Sequence, residues 1–380
     1  MVRPRRRLFD LLAIGLFASA IGLPMFGLFF RDPPKLDENR TRAGLPELPA
    51  KKYQFEAFAP RFELYLGDHL GYRDVLLGWH RQVTYGILGE PVTNQAWIGK
   101  DGWLYLNQSD PFGGNPKKPT PAERVEKWID AYEARHHWLK SKGIDYIVVF
   151  APDKAAVYPE YLKGYPARHP PLEMATPAAK ILNERGVPCV NLLPALLEEK
   201  KSNPNLLYYK TDSHWNYDGA RVGYRAVAAA VRERFPKFQI APESSYAIRA
   251  ESVVAGDTLR LAGFVEDAEP ETIRKWTPLT AMTNRVALHN FRTPEEKATW
   301  SGVDDRIFEQ PLATGPTLLF LHDSFGGHLF GFLGSDFSRV MALVTYGLPQ
   351  EAVRVEQPQL VIQVIVARQL YSLSPPSSLK

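Results

Sequence analysis

Leu318 to Gly327 reads LLFLHDSFGG. Four consecutive apolar residues fit a strand covered on both faces, as in a parallel sheet with helices on each side. The run ends at His322-Asp323-Ser324, and Phe325-Gly326-Gly327 follows. Ser324 therefore falls on a strand-to-helix turn, where a hydroxyl is exposed beside free backbone N–H groups. A second stretch, Tyr209 to Ala220, reads YKTDSHWNYDGA and leads into a helix-compatible run from Ala220 to Arg234. Asp212 and His214, two apart on a loop, can point into one cleft. A histidine held by a carboxylate is the base half of a nucleophilic triad. Together the stretches nominate Ser324 as nucleophile, His214 as base and Asp212 as its orienter.

The rest of the chain alternates in the way such a sheet requires. The pattern predicts a helix over Pro121 to Lys142, opened by Thr120, then a buried strand Tyr146 to Phe150 running into Ala151-Pro152-Asp153-Lys154. A helix at Pro177 to Arg185, a strand at Pro188 to Leu192 and a helix at Pro194 to Lys201 follow. Beyond Ser324 come a helix from about Phe325 to Phe332, a strand at Arg339 to Leu343, a helix near Leu348 to Val355 and a strand at Leu360 to Val366. Strands alternating with helices imply one parallel sheet with helices on both faces. Upstream, 54–88 carries two helical patterns, and Ala96 to Leu106 reads as a β-hairpin around a Gly/Asp turn. Residues 236–310 show weak periodicity and read as an irregular, insert-like stretch.

Each site residue also has a plainer reading. Asp212 suits a helix N-cap, and His214 beside Trp215 suits a packed ring. Ser324 suits an N-cap as well. Trp215 either walls a cleft against water or simply packs. Asp153 and Lys154, at a strand's C-terminal end, are placed to bind substrate, to brace the serine loop, or to sit in solvent. Phe325 and Gly326 are candidates to line the cleft, with backbone N–H groups from Ser324 to Gly327 as oxyanion donors. His322 and His328 flank Ser324, but only His214 has a carboxylate partner in the sequence.

Several function classes are excluded. The net charge of +4 is small and, apart from Arg3, Arg5, Arg6 and Arg7, the basic residues are dispersed, so no nucleic-acid surface is expected. Neither a zinc-type motif nor a Gly-rich phosphate loop is present, and His136 and His137 point apart on a helix, so no metal or cofactor is expected. The single cysteine, Cys189, lies in a strand pattern and reads as packing. Leu11 to Phe30 is twenty residues without a charge, about 30 Å as a helix and enough to cross a hydrocarbon core. The arginines before it place the N-terminus in the cytoplasm and the remainder outside. Ala18-Ser19-Ala20 offers an alternative leader cleavage site, but the apolar run continues past it, which favours an uncleaved anchor. The expected organisation is a basic tail and anchor (1–31), a Pro-rich linker (32–52) and one domain (53–375) containing the 236–310 insert.

These motifs resemble the alginate O-acetyltransferase family, the AlgJ/AlgX-related, SGNH-hydrolase-like proteins. The matching residues are Asp212 to Trp215, His322 to Phe325, Glu38 to Arg40, Asp68 to Arg73, Gly99 to Leu104, Pro152 to Lys154 and Gly256 to Leu259. The resemblance implies an SGNH-like sheet, permuted so that Asp and His precede Ser. It implies an acetyl-serine intermediate that passes its acetyl group to hydroxyls of a secreted polysaccharide at the outer face of the inner membrane. The implied acetyl donor is a membrane-bound O-acyltransferase partner. The alternatives in the same frame are a carbohydrate acetylesterase and a non-catalytic scaffold of an exopolysaccharide export complex. Two departures stand out. The acidic–Arg pair of the last strand region is Ala367-Arg368 here, so the ion pair is absent or replaced. The chain also ends soon after its last strand, which resembles members without an appended carbohydrate-binding module.

Overall fold

The computed structural model describes residues 4–30, 43–49, 51, 55–88, 95–107, 120–162, 174–254, 256–262, 269–287, 291–299 and 303–376. Glu38 to Arg40 and most of the linker lie outside the described residues. The contacts divide the chain into two compact units, Met1–Asn94 with Ala262–Phe264, and Gln95–Leu261 with Val265–Lys380.

In the first unit, helix α1 (Pro4–Phe30) contains the apolar span Phe9–Leu28, long and apolar enough to cross a membrane by length and composition. Helices α2 (Phe55–His69) and α3 (Arg73–Arg81) follow the two periodic patterns, and α3 continues into a π-helical turn, Gln82–Ile87. The sequence grouped these helices with the downstream domain, whereas the contacts place them in this unit.

The second unit opens with the hairpin β1 (Ala96–Ile98) and β2 (Leu104–Leu106). Asp101 and Gly102 both take positive φ at its tip, which suits an Asp-Gly pair. Helix α4 (Pro121–Lys140) begins at a capping box, Thr120 with Glu123. The next strands are β3 (Asp145–Ala151), β4 (Cys189–Asn191), β5 (Tyr246–Val253), β6 (Glu271–Pro278), β7 (Thr283–Val286), β8 (Arg306–Glu309), β9 (Gly315–His322), β10 (Phe337–Val344) and β11 (Leu360–Val366). The main sheet has the order β4-β3-β11-β9-β10-β8-β7. Its first five strands are parallel, and β8 and β7 add on antiparallel. The sheet is therefore mixed, where the sequence pattern predicted a parallel one. The departure comes from 236–310, which is not irregular. It supplies β7 and β8, and β5 pairs with β6 as a separate antiparallel ribbon. β5, β6 and β7 are largely polar and at least partly exposed, and β8 buries only Ile307 and Phe308, so no apolar run announces them.

Side-chain alternation along the parallel strands builds two cores. Ile147, Val149, Phe320 and Ile362 face the helices Leu193–Ser202 and Tyr217–Arg234, where Leu196, Val227 and Val231 are buried. Tyr146, Val148, Leu319 and Val361 face α4 and the helix Ala175–Glu184, where Trp128, Tyr132 and Leu182 are buried. Cys189 lies half-buried on β4, and burial pushes its thiol well above the ordinary range, in keeping with packing. A polar pair, Arg135 and Gln363, stands inside a core. The Arg135 side chain is fully buried, and its Nη1 donates to Gln363 Oε1 in mid-β11 at 3.0 Å. The same Oε1 accepts from the Tyr146 hydroxyl at 2.6 Å. Gln363→Leu removes that acceptor and should lower the unfolding free energy by about 3 kcal/mol. Adding Arg135→Met to the Gln363→Leu variant should recover the share due to the unpaired guanidinium and leave the share due to the Tyr146 hydroxyl, and chemical denaturation of the parent, the single and the double variant measures both effects.

Candidate active site

The parallel strands end at one edge, and the candidate residues gather there. Val364 of β11 is level with His322 of β9, and Val366 is level with Ala151 of β3. Ser324 therefore leaves the sheet beside the 152–154 loop and the segment after β11. Asp323, not Ser324, caps the following 3-10 turn, Ser324–Leu329, by accepting the Phe325 N–H at 2.9 Å. Its other oxygen accepts the Val366 N–H at 2.7 Å. Burial pushes the Asp323 carboxyl up, and these N–H bonds offset part of the rise. With capping done by Asp323, the exposed Ser324 hydroxyl makes no hydrogen bond among the described residues.

The Asp212–His214 pair lies on the loop between the helices Leu193–Ser202 and Tyr217–Arg234, and Asn216 caps the second of these by accepting from Asp218 and Gly219 N–H. This leaves Asp212 free for His214. Its Oδ1 meets His214 Nδ1 at 2.6 Å and accepts the His214 backbone N–H at 2.9 Å, while Oδ2 accepts the Asp257 N–H at 2.9 Å. Burial alone raises this carboxyl. The imidazole bond, the His214 charge and the two N–H groups outweigh it and hold Asp212 well below the usual carboxylate range. In the neutral ring, an Asp212 carboxylate that accepts from Nδ1 fixes the Nδ1–H tautomer and leaves Nε2 with a lone pair. That Nε2 is buried and has no hydrogen-bond partner among the described residues.

The two motifs meet. The His214 and Phe325 rings lie 4.8 Å apart, and Trp215 Nε1 donates to the Phe325 carbonyl at 3.0 Å. Trp215 and Phe325 are both fully buried, so they join the two loops from behind and do not wall a cleft. Gly326 is buried too. A Cβ there would fall on the His322 ring, and its N–H returns to the Asp323 carbonyl at 3.1 Å. The Phe325 and Gly326 N–H groups are thus committed to Asp323, not offered as oxyanion donors.

Asp153 and Lys154 are also beneath the surface, at 3% exposure each. Lys154 Nζ donates to the carbonyls of Tyr209, Lys210 and Asp212 at 3.2, 2.9 and 2.7 Å, so it braces the Asp212 loop. Burial pushes its ammonium down to about 7, against the pull of Asp212, Asp257 and Glu271. Asp153 pairs with Arg368 at 2.7 Å, and that guanidinium lies 5.3 Å from the centre of the Phe325 ring. Arg368 thus does have an acidic partner, borrowed from the end of β3.

Sequence reading gave no role to two further residues. Asp257 accepts the Ser213 N–H and hydroxyl at 2.7 and 2.5 Å and brings Oδ2 to 3.6 Å from His214 Nδ1. Glu271 on β6 accepts the Lys210 N–H and the Thr211 hydroxyl, both at 2.8 Å. The signal available was the Gly256-Asp257-Thr258 motif. A Cβ on Gly256 would fall on Asp212 itself, so only glycine lets these loops touch. Donor atoms of Asp212, His214 and Asp257 lie within 4.8 Å of one another, a spacing that a cation could bridge. Here they are bonded to each other and to Ser213, which suits an oriented base. A cleft of about 260 Å³ opens over them, lined by Tyr209, Thr211, Asp212, His214, Val253, Val254, Gly256, Glu271 and His328.

The fold and site together define an SGNH-hydrolase-like domain. The family model described as "SGNH hydrolase-like domain, acetyltransferase AlgX" matches residues 96–291, just over half of the chain, and the chain belongs to that family. The matched span contains Asp212, His214 and Asp257 and stops before Ser324. A probable alginate O-acetylase of Pseudomonas aeruginosa is 26% identical over 141 residues, covering 36% of this chain and 33% of that one. Its Pseudomonas fluorescens counterpart is 24% identical over 142 residues, 37% and 34% of the two chains. The chain thus matches about a third of the length of these curated relatives. Bacillus cereus PatB1 shares the fold at TM-score 0.52 and 17% identity, over 73% of this chain and 97% of that one. A DHHW family protein from Eubacterium siraeum does so at 0.53 and 14%, over 73% and 93%.

Two outcomes check this geometry. Gly256→Ala should displace Asp212 and lower turnover of an aryl acetate by at least tenfold. A variant with parent-like rates would show that the Asp257 loop does not position the pair. His322 and His328 are held down to about 4, chiefly by burial, whereas an unfolded chain titrates them near 6.5. Between those values the unfolded chain binds more protons, so stability falls as pH drops from about 6.5 toward 4. The slope should approach 1.4 kcal/mol per pH unit for each histidine, and His322→Asn should flatten its share in Tm measured against pH.

Proposed function

We propose that this chain is an O-acetyltransferase that moves acetyl groups onto hydroxyls of a secreted polysaccharide, with Ser324 as nucleophile, His214 as base and Asp212 as its orienter. The observation that carries this reading is the state of His214. Its Nδ1 is clamped by Asp212, and its Nε2 is buried and unpartnered beside the turn that exposes Ser324. The family description and the alginate O-acetylase relatives supply the acetyl group and the polysaccharide.

In this mechanism Ser324 Oγ attacks the acetyl carbonyl as its proton passes to His214 Nε2. The tetrahedral intermediate collapses, the leaving group takes that proton, and acetyl-Ser324 remains. A sugar hydroxyl then attacks the ester as His214 accepts its proton. Collapse returns the proton to Ser324 and releases the acetylated sugar. The imidazolium formed in each half is stabilised by the ionised Asp212. The catalytic domain lies within 53–375, behind the linker at 32–52. Helix α1 acts as an uncleaved inner-membrane anchor that leaves everything after Arg31 in the periplasm. There a membrane-bound O-acyltransferase supplies the acetyl group.

Ser324→Ala, His214→Ala and Asp212→Ala should each remove most turnover of an aryl acetate while preserving the circular dichroism spectrum. The losses should not multiply in double variants, because triad members act as a unit; multiplicative losses would separate these residues into independent roles. A sulfonyl adduct is described for PatB1, so a sulfonyl fluoride is a suitable probe. Intact mass and peptide mapping should place one adduct on Ser324 in the parent and none in Ser324→Ala. Acetylated oligosaccharide among the products identifies transfer, whereas acetate alone identifies an esterase. A C-terminal reporter fusion should be active only in its periplasmic form.

A further inference from the structure

Helix α3 and the π-helical turn that continues it carry an apolar stripe in the open. Tyr72, Val75, Leu76, Trp79, Val83 and Ile87 recur at helical spacing, so they share one face. All six are exposed, Trp79 at 71% and Ile87 at 76%. The stripe begins where the chain meets α1. The Gly71 N–H donates to the Pro24 carbonyl at 3.0 Å. A Cβ on Gly27 would fall on Gly71 Cα, and one on Gly71 would fall on Gly27 Cα, so only a pair of glycines permits this approach. Pro24 and Gly27 are buried and stand near the end of the apolar span Phe9–Leu28. Leu16, in the middle of the span, is 71% exposed.

From this placement we infer that α3 lies in the headgroup region of the outer leaflet and turns its stripe to the acyl chains, a second attachment to the bilayer beside α1. The inference rests on the reading of α1 as an anchor whose Phe30 end faces the periplasm. In that orientation the last turn of the span marks the outer boundary of the hydrocarbon. The contact of Gly27 with Gly71 then fixes the start of α3 at that boundary, and the stripe continues the lipid-facing surface of α1. A helix with one apolar face at this depth lies along the interface. Trp79, in the middle of the stripe, is of the residue type that interfaces favour, and the exposed polar residues His80 and Gln82 beside it suit headgroups. A protein covering the stripe would have to displace lipid at the same level. The second unit begins at Gln95, eight residues after Ile87, a reach of at most about 29 Å. The attachment therefore confines the catalytic unit to the neighbourhood of the membrane, where the proposed acetyl donor resides.

The test uses the full chain carrying Cys189→Ser, reconstituted in vesicles of phosphatidylethanolamine and phosphatidylglycerol. One cysteine at a time is introduced and labelled with a nitrobenzoxadiazole fluorophore, and circular dichroism checks that each labelled chain is folded. Trp79→Cys and Val83→Cys report the stripe, Leu16→Cys reports the span, and Lys180→Cys, at a side chain 77% exposed in the second unit, reports water. Quenching is measured with a lipid nitroxide near the headgroup, with one deep in the acyl chain, and with iodide in the buffer. The lipid nitroxides should quench the two stripe labels several-fold more than Lys180→Cys, the shallow one more than the deep one, and iodide should quench them several-fold less. Stripe labels that iodide reaches as readily as Lys180→Cys overturn the inference. Stripe labels shielded from iodide and from both nitroxides are covered by protein, a second copy or the rest of this chain, and overturn it as well. Leu16→Cys is read separately and should respond most to the deep nitroxide. If lipid quenches Leu16→Cys but not the stripe, the anchor stands and this inference falls. If lipid quenches the stripe but not Leu16→Cys, the anchor reading falls while α3 still meets the bilayer.

Discussion

The carboxylate of Asp212 is the constraint on which the site turns. Both of its oxygens are occupied, one by the His214 ring and backbone N–H, the other by the Asp257 N–H. A buried carboxylate would ordinarily shed its charge by taking up a proton. This one keeps its charge because three N–H donors replace the lost water. The neighbouring contacts serve that arrangement. Lys154 grips the carbonyl of Asp212 from below, Glu271 holds Lys210 and Thr211, and Gly256 lets the Asp257 loop close without a side chain in the way.

The serine side is held by a parallel set of charges. Asp323 caps its own turn and ties it to Val366, while Asp153 holds Arg368 over Phe325. Trp215 then joins the two sides through the Phe325 carbonyl. Asp212, Asp323 and Asp153 each take at least one partner from an element other than their own, and the register of β3, β9 and β11 brings those elements level. A buried charge whose partner comes from another strand is destabilised strongly when the partner is lost. The site and the sheet edge are accordingly one structure, with the catalytic candidates added at its solvent side.

The strands β3, β9, β10 and β11 and the flanking helices were legible because burial on two faces imposes unbroken apolar runs, and turns impose Gly, Pro and capping residues. Asp212 and His214 were legible as a spacing that lets a carboxylate hold an imidazole, and Ser324 as a serine on a strand-to-helix turn. Residues 236–310 were not. β5, β6 and β7 are largely polar and at least partly exposed, and β8 buries only Ile307 and Phe308, so no apolar run marks them, yet the segment turns the parallel sheet into a mixed one and delivers Asp257 and Glu271.

The sequence alone thus determined which chemical groups are available, which segments must be buried, and that α1 is apolar enough to span a membrane. Tertiary structure decided which of those groups meet. It turned Trp215, Phe325 and Gly326 from cleft lining into buried joints, Asp153 and Lys154 from substrate contacts into braces, and Asp323 into the cap that leaves Ser324 exposed. The physical reason is that hydrophobicity and propensity act along a few neighbouring residues and leave a periodic trace. Hydrogen bonds between residues 45 or 215 positions apart, such as Asp257 to Asp212 or Arg368 to Asp153, depend on how the loops pack and leave none.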